Sequence, residues 1–315
     1  MRDLRRLISK SLNAKDSSTT PKLSEIFYPS FALPMLDIED YKAVKIYGVC
    51  SGLRIRVSRR VYEVSHNDSF CLEYADYLLG LWLDIDQIFS DVRGVFREII
   101  EILSETYSSY GISVSPLDDV IVFTSIYLSK NTDYHNNTVR WVREILRIYR
   151  DPMSLIIRDP REVLDNIGRS FQLRELPQAL ECYSRIRDHV LRNDSDNYRS
   201  LLRCKGVGPK ILYSYMLHVK LDTSYAPFDV NLERFLANMN LRIWKRRPDK
   251  NLCILHSCNT CPIRDSCGIG ILRSYLGRAL GWFQTVAYMH VKSMCRMNAC
   301  DRCSLRRICI SRSSL

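Results

Sequence analysis

The feature that most restricts this chain is a cysteine pattern written twice near its end. Cys253, Cys258, Cys261 and Cys267 follow C-x4-C-x2-C-x5-C, and Cys295, Cys300, Cys303 and Cys309 repeat the rule. These eight, of twelve cysteines in 315 residues, fall within the last 63 positions. Four thiolates per block suffice for one metal centre, and the repeated spacing argues against coincidence. No secretory apolar core is present, so metal binding in a reducing compartment is expected rather than a disulfide framework. Cys50, Cys71, Cys182 and Cys204 share no spacing rule and are read as small buried apolar residues.

Ahead of these blocks the chain divides by pattern. Residues 1–25, beginning "MRDLRRLISKSLNAKDSSTTPKL", are basic and rich in Ser and Thr. They fit an organellar transit peptide loosely and a flexible basic tail better. Residues 26–76 form a β-rich region. In "LRIRVSRRVYEVS" apolar and basic residues alternate as in a half-buried antiparallel strand pair, and "SHNDS" reads as a turn. Residues 77–250 form a helical body, with apolar residues three and four apart in "DVRGVFREIIEILSETYSSYG" and "TVRWVREILRIYRD". "SPLDDVIVFTSIYLS" opens with a plausible cap on a buried helix. Residues 251–315 are the Cys-rich region, two loops flanking a helix expected to pack on the body. The fold class is mainly α with a small N-terminal β-rich region, an α+β arrangement.

The net charge of +11 is concentrated. From Phe235 onward there are fourteen Arg or Lys against Asp249, Asp265 and Asp301, while the rest is balanced. A cationic region of this kind suits a phosphate backbone. No run of eighteen apolar residues exists, so no membrane span is expected.

"LLRCKGVGPKILYSYML" reads as helix, tight turn, helix. Gly206 and Gly208 allow positive φ and close backbone approach, and Pro209 suits a first helical turn. Backbone N–H groups of Gly206, Val207 and Gly208 at such a turn would grip a phosphate without reading sequence. The turn and Lys210, followed by "PFDVN" with Asp229, resemble the helix-hairpin-helix DNA glycosylase superfamily. The resemblance covers Ser115 to Cys309. It implies that Lys210 is the nucleophile and Asp229 its electrostatic partner. The residue types suit that chemistry. Breaking an N-glycosidic bond builds positive charge on the sugar, which a fixed carboxylate stabilises. An unprotonated amine can then attack C1′, and the Schiff base can cut the strand by β-elimination.

Further along, "GRALGWFQTVAYMHV" resembles a segment of the 8-oxoguanine DNA glycosylases. By that resemblance Gln284 hydrogen-bonds the base edge, Tyr288 stacks on its face and Ser214 faces its other side. The spacing of four puts Gln284 and Tyr288 on one side of a helix. Asn131 matches the residue that fills the hole left by an extruded nucleotide, and Asn231 matches a phosphate contact. "CNTCPIRDSC" and "CDRCSLRRIC" resemble the iron–sulfur loop of endonuclease III-like enzymes, whose first gap is six residues against four here. Each block is expected to hold a [4Fe–4S] cluster, with Zn²⁺ in one or both as the alternative. Arg302, Arg306 and Arg307 would present cations to DNA. The expectation is a monomeric 8-oxoguanine DNA glycosylase/AP lyase acting on damaged double-stranded DNA. Its place would be the cytoplasm or nucleoid of a prokaryote, or otherwise a nucleus or organelle, and it would not be secreted. The alternatives are a glycosylase for oxidised pyrimidines and a non-catalytic, metal-stabilised DNA-binding protein.

Overall fold

The computed structural model describes residues 6–11, 21–58, 61–157, 160–192 and 197–310. The chain is mainly helical with one antiparallel sheet. By contact density it forms two compact units. The first comprises residues up to 83, 111–207 and 218–220, and the second comprises 84–110, 208–217 and 221–315.

The first unit contains the sheet. Strands β1 (Arg6–Ser11), β2 (Leu36–Glu39), β3 (Lys42–Lys45), β4 (Arg54–Ser58) and β5 (Val61–His66) run in the order β1-β5-β4-β3-β2. The alternation read in the sequence is realised. Ile55, Val57, Tyr62 and Val64 are buried, with Ile55 opposite Val64 and Val57 opposite Tyr62, while Arg54, Arg56 and Ser58 face water. The flexible-tail reading needs correction, because Arg6–Ser11 pairs along β5 as an edge strand. A strand with an open edge recruits any nearby extended segment whose N–H and C=O groups lack partners, and composition does not reveal this. Residues 1–5 and 12–20 lie outside the described residues.

Helical structure begins earlier than residue 77. Asp68 caps the helix Ser69–Leu79 through Phe70 N at 2.9 Å, so "SHNDS" is both turn and helix start. The "SPLDD" cap is also corrected. Asp118 precedes the helix Asp119–Leu128 without capping it. Its carboxylate instead accepts from Val49 N and Ser115 Oγ, each at 2.7 Å, and pairs with Lys45, which is 1% exposed. A buried ion pair stands only when its remaining hydrogen-bond sites are satisfied, as here, and this one pins the sheet to the helix. Phe123 on that helix stacks on Tyr183 of the long helix Phe171–Leu191 at 4.3 Å.

The four cysteines read as simple apolar residues form two disulfides, Cys50–Cys71 and Cys182–Cys204, with Cα separations of 5.4 and 5.6 Å. Burial was legible for Cys50, Cys71 and Cys204. Pairing was not, because it depends on which turns the fold brings together.

In the second unit, Phe283 meets Phe96 and Phe235 edge-on, each at 5.6 Å. Trp282 is fully buried, and its Nε1 donates to Tyr110 O at 2.7 Å. These contacts fix the helix Leu280–His290 between Phe96–Thr106 and Val230–Asn238. Among the described residues no helix is long and apolar enough to cross a membrane.

Candidate active site and metal centres

The first arm of the predicted hairpin is a 3-10 helix, Asn197–Arg203, rather than an α-helix. Cys204 leads into the turn, and its disulfide to Cys182 ties the turn to the long helix. Gly206 has φ +72, where a Cβ would meet Tyr127 Oη at 2.5 Å, so only glycine fits. Gly208 differs from expectation. Its φ is not positive, and a Cβ there would meet nothing within 4 Å. A side chain would therefore fit there, at the start of a helix.

That helix, Pro209–His218, carries Lys210 half-buried at its second position. Ser214, 1% exposed, donates from Oγ to Lys210 O at 2.9 Å, so its hydroxyl is spent on the helix backbone. Asp229 caps Val230–Asn238, its Oδ1 accepting from Asn231 N at 3.0 Å and Leu232 N at 2.9 Å. Two N–H donors at the helix N-terminus fix the direction of the carboxylate. Oδ2 has no hydrogen-bond partner among the described residues.

Gln284 and Tyr288 share the helix Leu280–His290. Gln284 is 6% exposed, and its amide makes no hydrogen bond among the described residues. Tyr288 is half-buried with Lys292 Nζ 5.7 Å from its ring centre. Asn231 is buried and accepts from Arg296 Nη2 at 3.1 Å, so any phosphate contact there would go through the arginine. Arg302 and Arg307 are exposed, and Arg306 pairs with Asp301 at 3.2 Å. Lys210, Ser214, Asp229, Asn231, Gln284 and Tyr288 all belong to the second unit, whereas Asn131, exposed with φ +47, belongs to the first.

Each cysteine quartet converges. Cys253, Cys258, Cys261 and Cys267 line one cavity of about 10 Å³, and Cys295, Cys300, Cys303 and Cys309 line another of about 330 Å³. Four thiols supply the donors that either a [4Fe–4S] cluster or a Zn²⁺ ion takes. Among the described residues no group of three or more His, Cys, Asp or Glu is arranged to hold a metal ion.

The surroundings of the quartets were not legible as motifs. Tyr213 Oη lies 3.2 Å from Cys253 Sγ and 3.6 Å from Cys258 Sγ. Arg273 lies against Cys258 and covers the Tyr225 ring at 4.2 Å. In the second block His290 Nε2 is 3.3 Å from Cys303 Sγ, and Asn238 Nδ2 donates to Cys295 Sγ at 3.6 Å. Burial pushes the Cys253 thiol up to about 11, so a thiolate there needs a cation beside it.

Sequence reasoning also missed Lys130. Its Nζ donates to Gly206 O at 3.3 Å and sits 3.5 Å from the Tyr127 ring centre. Burial lowers its pKa to about 8, against the opposing pull of Glu175. A lysine just before Asn131 carried no signal that it would reach the hairpin.

No protein-family model matches the chain, and no curated protein sequence matches it. Solved structures do. Clostridium acetobutylicum 8-oxoguanine glycosylase/lyase, in complex with double-stranded DNA containing cytosine opposite 8-oxoG, superposes with a TM-score of 0.61 at 12% identity. The match covers 87% of this chain and 92% of that one. MBOgg1 in complex with a low affinity DNA ligand gives 0.64 at 13% identity, covering 93% and 97%. The 3-methyladenine DNA glycosylase of Archaeoglobus fulgidus gives 0.62 at 11%, covering 91% and 99%. At these identities the likeness establishes the fold, over nearly the whole length of each neighbour.

Proposed function

We propose that this chain, which has the fold of the helix-hairpin-helix DNA glycosylases, is a DNA glycosylase/AP lyase that removes 8-oxoguanine from double-stranded DNA. The reading rests on one observation above the others, the Gln284 amide. The residue is 6% exposed on a packed helix, and its amide, with no hydrogen-bond partner among the described residues, keeps its donor and acceptor for an extruded base edge. The segment around Gln284 resembles that of the 8-oxoguanine glycosylases, which favours this reading over oxidised pyrimidines.

The chemistry follows from the second unit. As the glycosidic bond lengthens, positive charge grows on the sugar, and the ionised Asp229 with its free Oδ2 stabilises it. The Lys210 amine, unprotonated when it attacks, forms a bond to C1′ as the base departs with the glycosidic electron pair. Loss of the amine proton and ring opening give an imine to C1′. Removal of a C2′ proton then expels the 3′ phosphate by β-elimination. Gly208 N–H, Arg296 and Arg302 hold phosphates, and Asn131 fills the gap left in the duplex. Each block of four thiolates would hold a [4Fe–4S] cluster that pins a short loop lacking its own core, with Zn²⁺ as the alternative. The sets of four thiols support the clusters.

Borohydride trapping on duplexes with different damaged bases tests the proposal. A covalent adduct on 8-oxoguanine duplex, lost in Lys210→Ala and kept in Arg302→Ala, is the expected result. An undiminished adduct in the Lys210 variant would reject the nucleophile. Asp229→Asn retains a capping oxygen, so stability should stay within about 0.5 kcal/mol while base excision drops at least a hundredfold. The purified protein should carry about eight iron atoms per chain. Two zinc atoms would overturn the cluster assignment.

A further inference from the structure

We propose that Tyr213 is a positioning residue that couples the first metal centre to the helix bearing Lys210, an inference that rests on the glycosylase reading of that lysine. Tyr213 lies three positions after Lys210 on Pro209–His218 and is 3% exposed. Its hydroxyl meets two of the four thiols of the first block, Cys253 and Cys258. Once those sulfurs are metal-bound thiolates they are acceptors only, and the phenol is the donor. A donor shared between two fixed sulfurs fixes the side-chain torsions of Tyr213. Because the helix is rigid, it also fixes the rotation that aims Lys210.

A second contact runs from the same block toward Asp229. Arg273, half-buried, lies against Cys258, donates to Ser224 Oγ at 3.2 Å and covers the Tyr225 ring. Tyr225 in turn sits 5.6 Å from the Tyr213 ring, four residues ahead of Asp229. The guanidinium offsets the negative charge of the thiolates and places that charge balance on the segment leading to the aspartate. The second block is attached elsewhere, its thiols meeting Asn238 at the far end of the helix that Asp229 caps and His290 on the helix of Gln284. The first block thus braces the reacting groups, a role that a loop merely facing DNA would not require.

The test uses the full-length, iron-loaded protein and Tyr213→Phe, which keeps the ring and removes the hydroxyl. Hydrogen bonds to cluster sulfurs favour the reduced state, so redox titration followed by electron paramagnetic resonance should show one midpoint moved lower. The other midpoint should remain in place. In single turnover on abasic-site duplex, the borohydride-trapping rate should fall about fivefold at unchanged Kd. His290→Gln should move the other midpoint. Should Tyr213→Phe lose its iron, Arg273→Gln must lower the same midpoint for the proposal to hold. Two unmoved midpoints would overturn the contact, and a moved midpoint with a wild-type trapping rate would overturn the coupling. Trapping that survives Lys210→Ala would reject the glycosylase reading while leaving the midpoint result intact.

Discussion

The two cysteine blocks share one spacing and are held by different means. The first starts from the helix Lys250–Leu255, capped by Asp249 through Leu252 N at 2.9 Å. It ends at Cys267, which bridges to Arg246, so its backbone closes on itself around about 10 Å³. The second runs through short 3-10 turns, Cys300–Arg302 and Ser304–Arg307, around about 330 Å³. Spacing specifies a ligand set. The neighbours decide what each set is attached to, the lysine helix through Tyr213 in one case and the glutamine helix through His290 in the other.

The largest test of this contrast is ligand loss. Cys261→Ser and Cys303→Ser should each reduce iron from about eight atoms to about four. The first should also slow trapping on abasic DNA at least tenfold, and the second should mainly relax discrimination between 8-oxoguanine and guanine. Equal losses in both assays would erase the distinction. Acid tests the first unit, which holds neither block. His218, in the first unit, is buried, and that burial lowers its pKa to about 4 from an unfolded value near 6.5. The unfolded chain binds the proton more readily, so stability is intact above pH 6.5 and falls as pH drops toward 4, by up to roughly 3 kcal/mol. Denaturant melts across that window should show the decline in wild type and a flatter profile in His218→Phe. The smallest effect concerns surface charge. Arg302→Ala should lower the slope of log affinity against log salt by about one, and Arg264→Ala should leave it unchanged.

Much of this molecule was legible in its residues where one physical period dominates. Two-residue alternation located β4 and β5, three-and-four spacing located the helices Phe96–Thr106 and Val139–Tyr149, and the glycine turn located the helix that carries Lys210. The cysteine rule marked the residues that border each of two cavities. Features set by distant contacts were hidden. The edge strand Arg6–Ser11 needed β5 beside it, and Asp118 looked like a cap until Lys45 claimed its carboxylate. Ser214 illustrates a subtler loss, since its position in a motif does not show that its hydroxyl bonds its own helix. Tyr213 lacked any signal because a tyrosine on a buried helix is ordinarily core.

The disulfides carry a consequence for how the chain is made. All four oxidised cysteines belong to the first unit and all eight thiols to the second. Four cysteines alone allow three pairings, and exposing eight more during oxidation multiplies the wrong ones steeply. Iron captured early would mask those eight from exchange while air or an oxidase closes the remaining bonds. Chelator added to a refolding mixture should therefore scramble the crosslinks of the first unit, and the order of supply, iron before oxidant, should govern the yield of active chain.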